Sequence, residues 1–271
     1  MSNLSSHVRW LALAASLARA AEPGATITLW PQEPPSAPAA GPELAALGER
    51  VYRGACVNCH GEKGDGLGPE GKLSAVPPTD FTTGEFHFRS TPAGTLPLDV
   101  DVFHSIRRGM RSDAGMPAYT FLTDREVWAV VAYLKRFSPR WEKEQPGKRL
   151  ELAPRPPPDV EAGKAVFLGA GACFACHGMT GKGDGPAAIG LKYSAGAHAG
   201  RPWRLPDFTR REDFKGGSRP EDVYRSISTG LHGTPMPGFT ASLTDAQRWQ
   251  LVTFILSLSG AEAPSSQGAV P

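Results

Sequence analysis

A duplicated helical architecture, two domains in tandem, is what this sequence predicts, and three observations carry the prediction. The stretch GACVNCHGEKGDG at 54–66 returns as GACFACHGMTGKGDG at 171–185. Each copy is followed at a similar distance by a Met-Pro pair and then by an amphipathic helical pattern. The 271 residues also suit two domains of about 150 residues better than one. Gly and Pro make up about a fifth of the chain, which implies many loops between short elements.

The N-terminus has the layout of a secretory signal peptide over residues 1–20. His7 and Arg9 precede an apolar run from Trp10 to Ala18, and Ala18-Arg19-Ala20 offers an A-x-A cleavage site. The apolar run is too short to span a bilayer. The expectation is a chain exported to the periplasm, soluble or held at the outer face of the cytoplasmic membrane. Membrane contact would then come only through an uncleaved signal or a membrane-bound partner. Removing residues 1–20 lowers Lys+Arg from 29 to 27 against 27 Asp+Glu. The mature chain is formally neutral, and nothing in it suggests nucleic-acid binding.

A Pro/Ala-rich flexible segment is expected at 21–41. In PELAALGERVYRG, Pro42 suits a first helical turn, and Leu44, Leu47, Val51 and Tyr52 recur at helical spacing. Gly163, Val166 and Phe167 hold the corresponding places in the second copy. After each Met-Pro, Thr123 with Glu126 and Thr244 with Gln247 have capping-box spacing. Trp128, Val131 and Leu134, and Trp249, Val252 and Ile255, then form apolar helix faces. Gly48 and Gly163 are placed where a terminal helix could approach without a side chain between. The expected units are a first domain at 42–139, a Pro-rich exposed linker at 140–159, a second domain at 160–260 and a flexible tail at 261–271.

Four cysteines in an exported chain ordinarily suggest two disulfides. Here they form two C-x-x-C-H motifs, Cys56, Cys59, His60 and Cys173, Cys176, His177, and three chemistries compete for them. Tetrahedral zinc needs a fourth ligand that neither motif supplies. A thioredoxin-like dithiol needs a βαβ context, and no strand-rich segment precedes either motif. Covalent haem c uses all three residues, the thiols for the porphyrin and the histidine for iron. Two haem c groups are therefore expected.

A six-coordinate iron needs a second axial ligand, and the duplicated Met116-Pro117 and Met236-Pro237 are the candidates. They follow their histidines at matching distances, 116 − 60 = 56 and 236 − 177 = 59 residues. Met110 has no Pro partner, and Met179 follows His177 too closely to reach the far side of a haem. His87, His104, His198 and His232 are weaker alternatives. The segment 192–204 is inserted only in the second copy, and Arg201, Trp203 and Arg204 in it could reach a propionate or a partner, a solvated loop being the plainer reading.

With C-x-x-C-H, a later Met-Pro loop and a C-terminal helix carrying aromatics, the chain resembles class I cytochrome c twice over, across about 42–138 and 160–259. The resemblance implies an all-α fold of two tandem class I cytochrome c-like domains, each wrapped around one covalently bound haem. It also implies that Tyr133 and Phe254 pack near Gly48 and Gly163. His/Met-ligated sites pass single electrons rather than bind substrate. The expectation is a non-enzymatic relay between a redox protein donor and acceptor of a respiratory chain, as a carrier or as a subunit of a larger oxidoreductase complex. A dihaem peroxidase-like enzyme is the alternative, since it would need one open distal site.

Overall fold

The computed structural model describes residues 34–110, 115–193 and 196–260. The signal peptide at 1–20, the tail at 261–271 and most of the segment 21–41 lie outside these residues. The described residues are helical, joined by 3₁₀ turns and loops, with two isolated β-bridges, Leu96 with Pro146 and Lys192 with Pro202. None of these helices is long and apolar enough to cross a membrane.

The first unit opens with α1 (Pro42–Ala55), its proline in the first turn as the sequence suggests. The one-turn helix α2 (Val57–His60) follows directly and carries the first Cys-Cys-His motif. A long loop leads to α3 (Asp99–Arg108), the Met-Pro segment and α4 (Asp124–Leu134). A short helix, α5 (Arg140–Lys143), ends the unit. The second unit repeats the order with α6 (Val160–Leu168), α7 (Phe174–His177), α8 (Pro220–Thr229) and α9 (Asp245–Ser257). Both expected capping boxes form: Thr123 and Glu126, and Thr244 and Gln247, exchange side-chain and backbone hydrogen bonds at the starts of α4 and α9.

Each unit has its own apolar core, around Tyr52, Phe103, Trp128 and Val131 in the first and Phe167, Tyr224, Trp249 and Val252 in the second. In both, the first helix crosses the terminal helix backbone against backbone. A Cβ on Gly48 would lie 2.1 Å from the Ala129 carbonyl oxygen, and one on Gly163 would lie 2.0 Å from that of Gln250. Tyr133 and Phe254 close over the same glycines, their Cβ atoms 3.0 and 2.7 Å from these positions.

The segment expected as an exposed linker lies along both units instead. Leu150 N donates to Ser90 O at 2.6 Å, while Leu150 and Leu152 pack against the second core. Trp249 Nε1 donates to Ala153 O at 2.9 Å. Prolines hold the strip extended, and its few leucines are enough to anchor it.

The two units share a polar interface. Asp222, fully buried, accepts from Arg108 of the first unit at 3.1 and 3.2 Å and from Arg219 and Arg225 of its own. Burial pushes its carboxyl up, but the three guanidiniums more than offset this and hold it below its ordinary value. Arg89, also fully buried, donates to Thr229 O at 3.0 Å. His87 Nδ1 donates to His232 O at 2.6 Å, and His232 Nε2 lies 3.4 Å from Glu85 Oε1.

Replacing Gly48 or Gly163 by Ala should destabilise the protein by about 1–3 kcal/mol, although Ala is the better helix former by about 1 kcal/mol. Chemical denaturation of each variant checks this. The interface adds a pH dependence. Burial lowers His87 and His232 to about 4, so between pH 6.5 and 4 the unfolded chain binds more protons at these sites and stability falls with pH. Glu85, raised by burial, acts in the opposite sense but is one group against two. Denaturant midpoints should drop between pH 7 and 5, and His87→Gln should flatten the dependence.

Candidate functional site

Each Cys-Cys-His motif sits on a single turn placed by the helix before it. Cys56 N donates to Tyr52 O at 2.9 Å, which carries the turn of α1 into the motif, and His60 N then donates to Cys56 O at 2.9 Å. In the second motif Cys173 N donates to Phe167 O at 2.9 Å and His177 N to Cys173 O at 2.8 Å. The four cysteines are half-buried and unbridged. Two disulfides, the ordinary expectation for an exported chain, do not form.

Burial pushes the Cys56 and Cys173 thiols up to about 11, so they stay protonated near neutral pH. No group of three or more His, Cys, Asp or Glu among the described residues could hold a metal ion. Two cysteines paired on one turn directly before a histidine suit thioether attachment of a haem.

His60 is buried, and burial holds its imidazole down to about 4. Its Nδ1 lies 3.2 Å from Thr79 O. A carbonyl can only accept, so Nδ1 carries the proton and the Nε2 lone pair is left for a metal. The ring stacks on Phe81 with centroids 4.5 Å apart and planes at 20°, and His177 stacks on Phe208 at 4.6 Å and 22°. Burial also lowers His177 to about 4. Both histidines thus present a neutral, oriented imidazole, which fits an iron ligand.

The Met-Pro segments occupy matching backbone positions. Met110 N donates to Met116 O at 3.0 Å and Tyr119 N to Ile106 O at 3.2 Å; Leu231 N donates to Met236 O at 3.1 Å and Phe239 N to Ile227 O at 3.0 Å. Met116 packs on the first core and Met236 is half-buried. Each segment lies against a glycine ending the preceding helix. Gly109 and Gly230 have φ of +67° and +66°, and a Cβ there would lie 2.6 Å from Met116 O or 2.5 Å from Gly238 N. Sequence reasoning overlooked these glycines, although a glycine closing a helical pattern is a readable signal.

The remaining candidates lie elsewhere. Met179 is exposed. His87 and His232 bond across the interface, His104 is buried on α3, and His198 bonds Pro78. The insert, described at 192–193 and 196–204, is largely exposed but docks through a few side chains. Arg201 donates to Ser74 O at 2.8 Å, and Trp203 packs on Tyr193 and His87. The backbone carbonyl of Thr79 and the rings of Phe81 and Phe208 also escaped the sequence reading.

Comparison with known proteins agrees with this geometry. Residues 43–134 match the family model for cytochrome C oxidase, cbb3-type, subunit III, and residues 160–259 match that for cytochrome c. A chain of the Kuenenia stuttgartiensis reducing HAO-like protein complex is 36% identical, with a TM-score of 0.71 over 78% of this chain and 95% of its own. A nicotinate dehydrogenase subunit of Pseudomonas putida is 39% identical over 101 residues, which are 35% of this chain and 8% of that protein. The chain therefore spans a small part of that relative. Cytochrome cL of Methylophaga aminisulfidivorans aligns with 40% of this chain and 69% of its own at 22% identity, with a TM-score of 0.25, too slight a likeness to bear on the fold.

Fold and sites together define a c-type cytochrome. The chain belongs to the cytochrome c family as a dihaem member, two class I domains in tandem with one covalently bound haem c in each. Its domains are electron-transfer modules.

Gly109→Ala and Gly230→Ala should each displace a Met-Pro segment and loosen it. Faster amide exchange at residues 116–119 or 236–239, confined to the altered domain, is the expected result.

Proposed function

We propose that this chain is an exported dihaem relay in which both irons have His and Met axial ligands, working as the electron-transfer subunit of a larger oxidoreductase. The observation that carries the ligand reading is the equivalence of the two sites. Each pairs a neutral, stacked histidine with a Met-Pro segment held by the same two backbone hydrogen bonds. When bound, haem c supplies reversible one-electron chemistry.

The chain's residues do the rest. Cys56, Cys59, Cys173 and Cys176 would hold the porphyrins by thioethers, while His60 and His177 would donate through Nε2. Met116 and Met236 would close the opposite axial positions, and a thioether there favours the reduced state. Apolar cores rich in Phe, Tyr and Trp pack against the motifs and exclude water, which limits reorganisation when the charge changes. With His60 and Met116, and His177 and Met236, all engaged as ligands, neither haem would be open to peroxide.

The partner reading draws on the relatives. One is a chain of an HAO-like protein complex, and another carries the matching segment within a subunit of a dehydrogenase. Both support an oxidoreductase as the partner of such a module. Export rests on the signal-like pattern of residues 1–20, with the domains at 42–139 and 160–260 reaching the periplasm.

The purified protein should contain two haems per chain by pyridine haemochrome assay and show low-spin spectra with a methionine-to-iron charge-transfer band. Met116→Ala or Met236→Ala should each remove part of that band and open one iron to added ligands, with covalent haem retained. A high-spin ferric signal with rapid peroxide turnover in the unmodified protein would overturn the relay reading. Fractionation of cells and co-purification from native membranes test export and partner.

A further inference from the structure

Residues 196–203 of the insert reach onto the first domain. Its 3₁₀ turn, Gly196–His198, meets the segment Pro78-Thr79-Asp80. His198 Nε2 donates to Pro78 O at 2.8 Å, and Ala197 N donates to Asp80 Oδ2 at 2.7 Å. Arg201 extends the seam to Ser74 O. His198 and Asp80 are both buried, so leaving either without its partner is costly.

Between the two gripped residues lies Thr79, whose carbonyl oxygen accepts from His60 Nδ1. The second carboxylate oxygen of Asp80 accepts from Thr82 N at 3.0 Å and Thr82 Oγ1 at 2.6 Å. Those bonds set the turn that brings Phe81 onto the His60 ring. Both contacts that orient His60, one hydrogen bond and one stack, therefore hang from residues that the second domain holds.

The second site is built differently. Asp207 caps Thr209 as Asp80 caps Thr82, and Phe208 stacks on His177. Yet His177 Nδ1, though buried, has no hydrogen-bond partner among the described residues.

We infer that the 192–204 insert is a positioning element for His60, aiming the Thr79 carbonyl at Nδ1 and so lowering the reduction potential of the first haem alone. The inference rests on the reading of His60 as an iron ligand. A carbonyl accepting the Nδ1 proton makes the imidazole a more basic donor, and a more basic donor favours ferric iron. His198 and Asp80 grip the residues on either side of that carbonyl and position it for His60. Two sites with the same ligand types are thereby made unequal.

Spectroelectrochemical titration of the full-length holoprotein tests this, with Met236→Ala identifying the wave of the second haem. His198→Ala and Asp80→Ala should raise the first wave and leave the second in place. His198→Gln, whose amide can donate to Pro78 O, should bring the first wave back toward its original position. Arg201→Ala, a milder cut in the same seam, should give a smaller rise and serves if the other variants do not fold. Variants with unchanged circular dichroism and two haems per chain, but an unmoved first wave or both waves moving together, would sink the inference. If Met236→Ala displaces neither wave, the Met236 assignment fails, whereas the inference still requires that His198→Ala and Asp80→Ala raise one wave and leave the other in place.

Discussion

Everything in either domain is referred to one close approach, the crossing of the first and last helices at Gly48 and Gly163. With a Cβ position only about 2 Å from a carbonyl oxygen of the facing helix, no other residue lets the two backbones meet. That crossing sets the direction in which α1 and α6 run into the Cys-Cys-His turns. In both domains the Cys-Cys-His turn follows the first helix of that pair and the Met-Pro segment precedes the second. The cost of the polar turns and loops is offset by the aromatic cores packed on the crossing.

Most of this frame was legible in the sequence because its signals are local or repeated. Capping boxes, the helical spacing of Leu44, Val51 and Tyr52, and the glycines within apolar faces each report on a few neighbouring residues. Duplication then separated meaningful glycines and methionines from incidental ones, so that Met116 and Met236 stood out from Met110 and Met179. The signal of Gly109 and Gly230 was of the same readable kind. Their role emerges only once Met116 and Met236 are seen lying against them.

What stayed hidden was long-range or carried by the backbone. Thr79 contributes a carbonyl, which any residue has, so its identity says nothing of its role. The bonds from Arg89 to Thr229, Arg108 to Asp222 and His198 to Pro78 join residues more than a hundred positions apart. No periodicity encodes such pairs. The Pro-rich segment at 140–159 misled for a related reason: composition describes a strip's stiffness, whereas a few leucines and one tryptophan partner decide whether it docks.

Those hidden contacts turn two similar modules into one unequal pair. A repeat alone would yield two equivalent sites, and an electron has no reason to prefer either. The insert breaks the equivalence by directing its hydrogen bonds to the residues either side of Thr79. The ion pair of Arg108 with the buried Asp222 joins the same two units that the insert bridges. Orientation of the domains and tuning of one histidine are thus consequences of the same interface, so evolution of the docking surface and of the potential difference would be expected to proceed together.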